Sequence, residues 1–323
     1  MKEGTCMSIE NKISVVVPAY NAENTIGRCI ESILNQRYGN LELLIVNDGS
    51  SDSTHKIISS YLKDKRIIYL KQNNKGVSSA RNAALSHASG EYIIFVDADD
   101  CLSENSIENR IKYACNYDLV ISNYYTMHNG KKNREKSIIE KKIIYKKDAF
   151  WSLSPKSSIG YQGYLWNKVF RRKIIEDFNI RFDESIYYGE DRLFIAEYID
   201  KCGKFFLDEE YVYCYEMNGK SAMSAFNKVT ENNYKKVMTE FIGLEKLQAI
   251  VGKYDAILFS VFEYYDFVTC MNFINNSDKN MAEFRTACEN RAKLKLKNIL
   301  FEKKEFYSII SKVKAVGHYI LKR

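Results

Sequence analysis

The fold is decided by residues 13–34, ISVVVPAYNAENTIGRCIESIL, in which a β-branched run precedes a helical pattern. The run 13–17 is short and continuously apolar and is closed by Pro18, which is typical of a buried parallel strand. Residues 21–24 then offer helix caps. Together these features predict a strand leading into a helix whose apolar positions are Ile26, Cys29, Ile30, Ile33 and Leu34.

The same order of strand and helix continues to residue 100. Strands are predicted at 41–46, 67–70 and 92–96, and helices around 57–62 and over 77–88. Alternation at this spacing predicts an α/β fold, with a mostly parallel wound sheet, right-handed crossovers and helices on both faces. Beyond residue 225, apolar residues recur every three to four positions, which predicts a helical C-terminal region.

Polar residues gather just after each predicted strand, in the segments 18–21, 47–52, 73–76 and 97–100. In open sheets of parallel strands, ligands bind outside the carboxyl ends of the strands. The sequence contains neither a GxGxxG fingerprint nor a phosphate-binding GxxxxGK[ST] loop. We therefore expect a ligand site at this edge of the sheet that uses another mode of nucleotide binding.

Three carboxylates follow the fourth predicted strand, at Asp97, Asp99 and Asp100. Their mutual repulsion favours a hard divalent cation, because Mg²⁺ and Mn²⁺ take oxygen ligands and keep positions open for substrate phosphates. The alternative is that Asp99 or Asp100 starts a helix near Leu102. These residues alone leave both interpretations open.

The composition excludes several classes of protein. Hydrophobic residues make up 46% of the 323 residues and charged residues 28%, which is typical of globular chains and not of disordered ones. The eight cysteines are scattered without a CxxC pair, which favours reduced cytoplasmic thiols over a zinc site or a disulfide framework. No stretch resembles a signal peptide or a bilayer span, so we expect a cytoplasmic protein.

The net charge of +7 is concentrated near the C-terminus. Residues 291–323 contain ten lysines and arginines against two glutamates, and apolar residues alternate with the lysines. An amphipathic helix on the anionic inner face of the plasma membrane fits this pattern, and so does a packed helix with one solvated face. A second basic stretch covers residues 131–147. We do not expect nucleic acid as a partner, and the oligomeric state is left open.

Four ordered motifs resemble those of the family 2 glycosyltransferases, inverting enzymes of the GT-A fold that build bacterial cell-surface polysaccharides such as capsules. The motifs are VVVPAYN at 15–21, VNDGSSDST at 46–54, KGVSSARN at 75–82 and GEYIIFVDADD at 90–100. The resemblance continues more loosely through LWNKVFR at 165–171 and YGEDRLF at 188–194.

The resemblance implies a division of the chain. A GT-A domain would cover residues 13–224, with a nucleotide-binding half at 13–100 and an acceptor and catalytic half at 101–224. An N-terminal extension at 1–12 would precede it, and the helical region at 225–323 would follow it.

The resemblance also implies a pocket for the donor, a UDP-sugar. Tyr20 would stack on the uracil ring, Asp48 would accept the imino hydrogen of the base, and Gly76 would let the backbone approach the nucleotide. Arg81 would lie near the base and the phosphates. From the residues alone, Tyr20 could instead be an ordinary packing residue and Arg81 a surface helix charge. The implied donor-binding residues are Pro18, Ala19, Tyr20, Asn21, Asp48, Gly76, Arg81, Asp97 and Ala98.

The resemblance assigns the chemistry to two further acidic motifs. Asp97 would lie near the ribose and the metal, and Asp99 would bind the Mn²⁺ or Mg²⁺ that offsets charge on the departing UDP. Asp191 would take the proton from the acceptor hydroxyl, with Glu190 as the fallback. Both residues of this second motif also suit the start of a helix.

The motif Trp166-Asn167-Lys168 is assigned to the acceptor or the diphosphate. Trp166 would form a platform for a sugar ring and Lys168 would contact the diphosphate, although Trp166 could equally be a tryptophan of the core. Some relatives add a histidine to the metal after the base. No histidine occurs between residues 128 and 318, so the metal would depend more strongly on Asp99 and the diphosphate.

We therefore expect an inverting, metal-dependent transfer of one sugar from a UDP-sugar to a hydroxyl of a glycan acceptor, which in many relatives is lipid-linked. A sugar-nucleotide-forming nucleotidyltransferase would need a glycine-rich basic loop after the first strand, which residues 18–21 lack. A non-catalytic module that binds a polyanion or a membrane would account for the basic C-terminal segment. A glycosidase could use paired carboxylates, but hydrolysis gives no reason for four nucleotide-pocket motifs.

Overall fold

The structure is a computed structural model, and it describes residues 11–128, 130–134, 140–154, 157, 162–217, 229–277 and 281–297. The chain divides into two compact units. The first comprises Met1–Glu184 and Phe194–Asn218, and the second comprises Ser185–Leu193 and Gly219–Arg323. Residues 291–297 of the basic segment are the end of the helix Ala282–Lys297, and residues 298–323 lie outside the described residues, as do residues 1–10 of the predicted extension.

The described part of the first unit contains a ten-stranded mixed sheet. Along the sheet the order is β3-β2-β1-β4-β9-β6-β10-β5, with β7 paired to β6 and β8 paired to β10. The strands are β1 Ile13–Ala19, β2 Leu41–Asp48, β3 Ile67–Gln72, β4 Tyr92–Phe95, β5 Cys101–Leu102, β6 Leu119–His128, β7 Lys131–Arg134, β8 Lys142–Ile144, β9 Lys168–Arg171 and β10 Phe205–Glu216.

The first four strands run parallel to one another, with β1 between β2 and β4 and with β3 outside β2. Because their carboxyl ends share one edge, the loops that follow β1, β2, β3 and β4 are brought together there. Strand β9 is antiparallel to both β4 and β6, and β10 runs parallel to β6. The predicted wound sheet is confirmed, and the antiparallel strands are additions that the sequence pattern did not indicate.

Alternate strand residues point to opposite faces of the sheet, and both faces carry apolar side chains. Helices therefore cover both faces. On one face, Val15 and Val17 of β1 belong to the same buried cluster as Ile26 and Ile30. On the other face, Phe95 meets the ring of Phe194 edge-on. The helices of the first unit are α1 Ile26–Leu34, α2 Thr54–Tyr61, α3 Val77–His87, α4 Ser106–Ala114, α5 Lys146–Trp151 and α6 Arg172–Asp177, and the next helix, α7 Glu190–Lys201, has its first four residues in the second unit.

A buried carboxylate, Glu42, joins the amino-terminal part of the sheet to the turn before β4. It accepts hydrogen bonds from the hydroxyl of Ser14 at 2.5 Å and from the backbone and hydroxyl of Ser89 at 2.6 and 2.8 Å, and it pairs with Lys12 at 2.5 Å. Burial opposes ionisation of Glu42, but the hydrogen bonds outweigh it and lower its pKa from 4.5 to about 2.

The second unit is helical in its described part, as predicted. Its helices are α8 Tyr234–Val251, α9 Ala256–Asn276 and α10 Ala282–Lys297. They share an apolar core in which Phe241 of α8 meets Phe273 of α9. Within the described part of the chain, we find no helix with the length and apolar character needed to cross a bilayer.

Candidate active site

The loops after β1 and β2 are tied together at the carboxyl edge of the sheet. Asn21 adopts a left-handed backbone conformation with φ 47°. Its N–H donates to the hydroxyl of Ser50 at 3.0 Å, and its side-chain oxygen accepts the N–H of Ser51 at 2.9 Å. Asn21 therefore shapes the edge of the predicted donor pocket by joining two loops.

Asp48, at the end of β2, organises the loop that follows β3. The carboxylate is buried and accepts hydrogen bonds from the side chain of Gln72 and from the N–H groups of Lys75 and Gly76, all at 2.8 Å. Gly76 has φ +93°, a conformation that favours glycine, and it directly precedes α3. A carboxylate offers about four acceptor positions, so one remains for the N–H of a base.

The other predicted donor residues differ in their exposure. Tyr20 is 52% exposed, so its ring is accessible for stacking and is not an ordinary packing residue. Pro18 is half-buried, whereas Ala19 and Ala98 are buried. At the amino end of α3, the hydroxyl of Ser78 is buried and has no hydrogen-bond partner among the described residues.

Arg81 of α3 lies beneath this edge and is not a surface charge, because only 4% of the residue is exposed. Its guanidinium donates to a carboxylate oxygen of Asp97 at 3.2 Å and lies 5.3 Å from the centre of the Phe182 ring. The structure thus brings Arg81 and Asp97 together, and their roles at a donor site stay predictions.

The three carboxylates of the loop Asp97–Asp100 differ in burial. Asp97 is half-buried and Asp99 is exposed. Partial loss of solvent and then the charge of Asp97 raise the pKa of Asp99. Asp100 is buried, and burial, followed by the charges of Asp97 and Asp99, raises its pKa to about 9.

Asp100 is a structural anchor and does not start a helix. Its carboxylate accepts the hydroxyl hydrogen of Tyr213 and the N–H of Glu216, both at 2.8 Å. The residues that follow form the short strand β5, and α4 begins only at Ser106. The interpretation of this motif as a helix start is therefore wrong.

The donor set fits a divalent cation of the kind the resemblance implies. Crowding of the Asp97 and Asp99 charges is relieved by a cation, and both side chains reach solvent. No group of three or more metal-ligating side chains occurs in the part of the chain that the structure describes. Two carboxylates together with substrate phosphates are a common set for Mg²⁺.

The predicted roles of the Trp166-Asn167-Lys168 motif are wrong. Trp166 is 4% exposed, and its ring stacks on Tyr164 and Tyr213 at 4.7 and 4.5 Å between ring centres, so it offers no platform to a sugar. Asn167 is buried and donates to the carbonyl of Ser122 at 2.9 Å. The motif therefore belongs to the core of the first unit.

Lys168 is fully buried, so it does not contact a diphosphate. Its ammonium donates to the carbonyl oxygens of Gln162 and Tyr164 at 2.5 and 2.6 Å and to the side-chain oxygen of Asn167 at 2.9 Å. A buried charge requires such partners, and here it fastens a loop to the start of β9.

Glu190 and Asp191 are the first two residues of α7 and belong to the second unit. The preceding Gly189 has φ +79°, and its carbonyl accepts the N–H of Leu193 at 3.1 Å. The acidic pair therefore occupies the first turn of a helix, as predicted. Its role as the base stays a prediction.

The sequence did not indicate three residues that hold the Asp97–Asp100 loop, which are Arg28, Tyr213 and Glu216. Tyr213 accepts the N–H of Asp97 at 3.1 Å. Arg28 of α1 donates to the carbonyl of Asp99 at 3.0 Å and to the carboxylate of Glu216 at 2.8 Å. No local pattern marks these residues, because their partners are up to 188 positions away in the sequence.

Comparisons with known proteins identify the family of this chain. A family model described as Glycosyl transferase family 2 matches residues 14–178. The poly(ribitol-phosphate) beta-N-acetylglucosaminyltransferase TarP of Staphylococcus aureus is 30% identical over 261 residues, covering 75% of this chain and 78% of that protein. The chain belongs to glycosyltransferase family 2 and is a transferase. One other curated relative, 41% identical over 125 residues, is matched over only 18% of its own length.

Solved structures show the same fold. Residues 1–349 of TarS from S. aureus superpose with a TM-score of 0.64 at 18% identity, covering 97% of this chain and 92% of that one. The same part of TarS has also been crystallised with UDP-GlcNAc. A mannosyltransferase of Pyrobaculum calidifontis, crystallised with GDP-mannose and Mn²⁺, superposes with a TM-score of 0.56 at 12% identity and covers 97% of this chain and 85% of that one.

Proposed function

We propose that this chain is an inverting, metal-dependent glycosyltransferase that transfers one sugar from a UDP-sugar to a hydroxyl of a glycan acceptor. The observation that carries the proposal is made at the carboxyl edge of four parallel strands: Asp48 at the end of β2 holds the turn that starts α3, and Arg81 of α3 pairs with Asp97 after β4. Asp48 supplies an acceptor for a nucleotide base, and Asp97 and Asp99 supply two carboxylates suited to a cation.

The donor would be held by this chain's own residues in three places. The exposed ring of Tyr20 stacks on the uracil, and the remaining acceptor position of Asp48 takes the imino hydrogen. Arg81 keeps a positive charge beside Asp97 at the diphosphate end. Asp97 and Asp99 would hold Mn²⁺ or Mg²⁺, which when bound acts as a Lewis acid toward the diphosphate.

Asp191 would act as the general base. It takes the proton from the acceptor hydroxyl while that oxygen bonds to the anomeric carbon, and the bond from this carbon to UDP breaks on the opposite face. The first turn of α7 suits this role, since a helix start restricts where a side chain points. Glu190 is the fallback.

The relatives support a choice of substrates. TarP is named for transfer of N-acetylglucosamine to poly(ribitol-phosphate), and TarS binds UDP-GlcNAc in its crystal structure. UDP-GlcNAc is therefore our first candidate donor. As acceptor we propose a cell-surface polysaccharide precursor, lipid-linked and reached from the cytoplasm, with the basic residues after 297 against anionic lipid.

A donor screen tests the proposal. Release of UDP is measured from a panel of UDP-sugars with Mn²⁺, in the presence and absence of acceptor. We expect one UDP-sugar to be consumed well above the others and Asp99→Asn to abolish that turnover. Absence of UDP release from every UDP-sugar of the panel, or full turnover by Asp99→Asn, would contradict the proposal.

A further inference from the structure

The acidic pair of α7 is followed directly by Arg192, whose side chain is held inside the second unit. The guanidinium donates to the carboxylate of Glu240 on α8 at 2.6 Å, and the two side chains are only 5% and 7% exposed. The guanidinium also lies 5.3 Å from the centre of the Tyr265 ring on α9. Helices α8 and α9 of the second unit therefore both contact the first turn of α7 through Arg192.

The second oxygen of Glu240 lies against the backbone at the entrance to α7. A Cβ added at Gly189 would stand 2.6 Å from Oε2 of Glu240, so any larger residue there would displace this carboxylate. The positive φ of Gly189 also favours glycine at this position. The Glu240 carboxylate thus lies beside Gly189, which precedes the acidic pair, and bonds to Arg192, which follows it.

Removing one partner of a buried ion pair leaves a charge without compensation, which is strongly destabilising where the pair lies. Burial raises the pKa of Glu240, and the charge of Arg192 opposes that shift. Loss of the Glu240 charge would weaken the attachment of Arg192 to α8 and, with it, that of the turn that carries Asp191.

We propose that Arg192 and Glu240 are positioning residues that fix the first turn of α7 and so aim the Asp191 carboxylate at the acceptor hydroxyl. This rests on the proposed function. The pair acts through Asp191, so we expect its loss to lower kcat and to leave donor binding unchanged. Transfer depends on near-attack geometry, in which small displacements of a catalytic group are costly.

The variant Glu240→Gln tests the pair, and Glu245→Gln is its matched control. Glu245 lies on the same helix and pairs with Arg291 at 2.6 Å, but its side chain is 60% exposed. We expect Glu240→Gln to lower kcat about tenfold or more, with KM for the UDP-sugar within about twofold of the parent. Glu245→Gln should keep both parameters. Parental kcat in folded Glu240→Gln, or a rise in KM alone, would overturn the proposal.

Amide hydrogen exchange gives a readout that does not depend on activity. In Glu240→Gln the amides of residues 190–193 should exchange faster than in the parent and in Glu245→Gln, and unchanged exchange would overturn the proposal. If the parent shows no transfer, the proposed function fails while this measurement still tests the pair.

A second variant covers the case in which Glu240→Gln does not fold. Gly189→Ala displaces the carboxylate of Glu240 and strains the positive-φ turn before Asp191, while the charge of Glu240 is kept. Its control is Gly243→Ala on α8, where the added Cβ would stand an ordinary 3.6 Å from Ile186. We expect kcat to fall in Gly189→Ala and to stay at the parental value in Gly243→Ala. Equal kcat in the two variants would overturn the proposal.

Discussion

The phenol of Tyr213 donates to the carboxylate of Asp100 at 2.8 Å, and its oxygen accepts the N–H of Asp97 at 3.1 Å. Tyr213 and Asp100 are both buried, and the Tyr213 ring stacks on Trp166. One side chain of β10 thus holds both ends of the acidic loop. Asp100 is drawn inward, while Asp97 and Asp99 stay at the surface.

Replacement of Tyr213 by phenylalanine should loosen this loop. The change leaves the Asp97 N–H without its acceptor and removes one of the two hydrogen bonds to the buried Asp100 carboxylate, so we expect the free energy of unfolding to fall by about 1–3 kcal/mol. Mn²⁺ should also bind more weakly in the presence of UDP. Chemical denaturation and calorimetric titration measure the two effects. Tyr215→Phe, two residues along the same strand, is the control, and equal Mn²⁺ affinity in the two variants would argue against the anchor.

Replacement of Asp191 by asparagine should separate binding from chemistry. The amide cannot take a proton from the acceptor, so transfer should fall by about 100-fold or more while UDP binds as in the parent. Initial rates of transfer and titration with UDP check this. Glu190→Gln is the comparison. If Glu190→Gln is inactive and Asp191→Asn is near the parental rate, the base is Glu190.

Replacement of Lys168 by methionine should affect stability and spare donor binding. It removes the three hydrogen bonds of the buried ammonium, two of them fully buried, and we expect the free energy of unfolding to fall by about 2–5 kcal/mol. KM for the UDP-sugar should stay within about twofold. Lys173→Met, whose side chain is 76% exposed, is the control and should leave stability unchanged. A higher KM with unchanged stability would restore the diphosphate role.

The depressed pKa of Glu42 predicts a specific loss of stability in acid. Its folded pKa of about 2 lies below the ordinary 4.5, so its contribution is complete above 4.5 and is lost as the pH falls toward 2. We expect Glu42→Gln to remove on the order of 2–3 kcal/mol of stability at neutral pH and to flatten this acid dependence. Denaturation at several pH values measures both. Glu104→Gln, at a site 84% exposed, should keep the parental profile.

Much of the first unit could be predicted from local pattern. The helix over Ile26–Leu34 and the strand that starts at Ile13 coincide with the predicted elements, because β-branched runs and helical spacing act over short distances. The position of the site at the carboxyl edge could also be predicted from the strand pattern, since the loops that follow parallel strands lie at one edge of the sheet. Asp48, Arg81 and Asp97 are found at that edge.

The parts of the fold and of the site that local pattern did not predict depend on contacts between distant parts of the chain. Trp166 and Lys168 were assigned from a motif, and a motif does not tell whether its side chains face solvent or the core. Tyr213 lies 116 positions from the loop it holds. Glu240 and Arg192 are 48 positions apart and meet only when the helices of the second unit pack.

The most direct test of the account is an anomalous difference map from a crystal grown with Mn²⁺ and UDP. The account predicts a manganese peak bound by the carboxylates of Asp97 and Asp99 together with the diphosphate, and the uracil against Tyr20 and Asp48. UDP bound elsewhere, or bound at this edge with no manganese at Asp97 and Asp99, would contradict it.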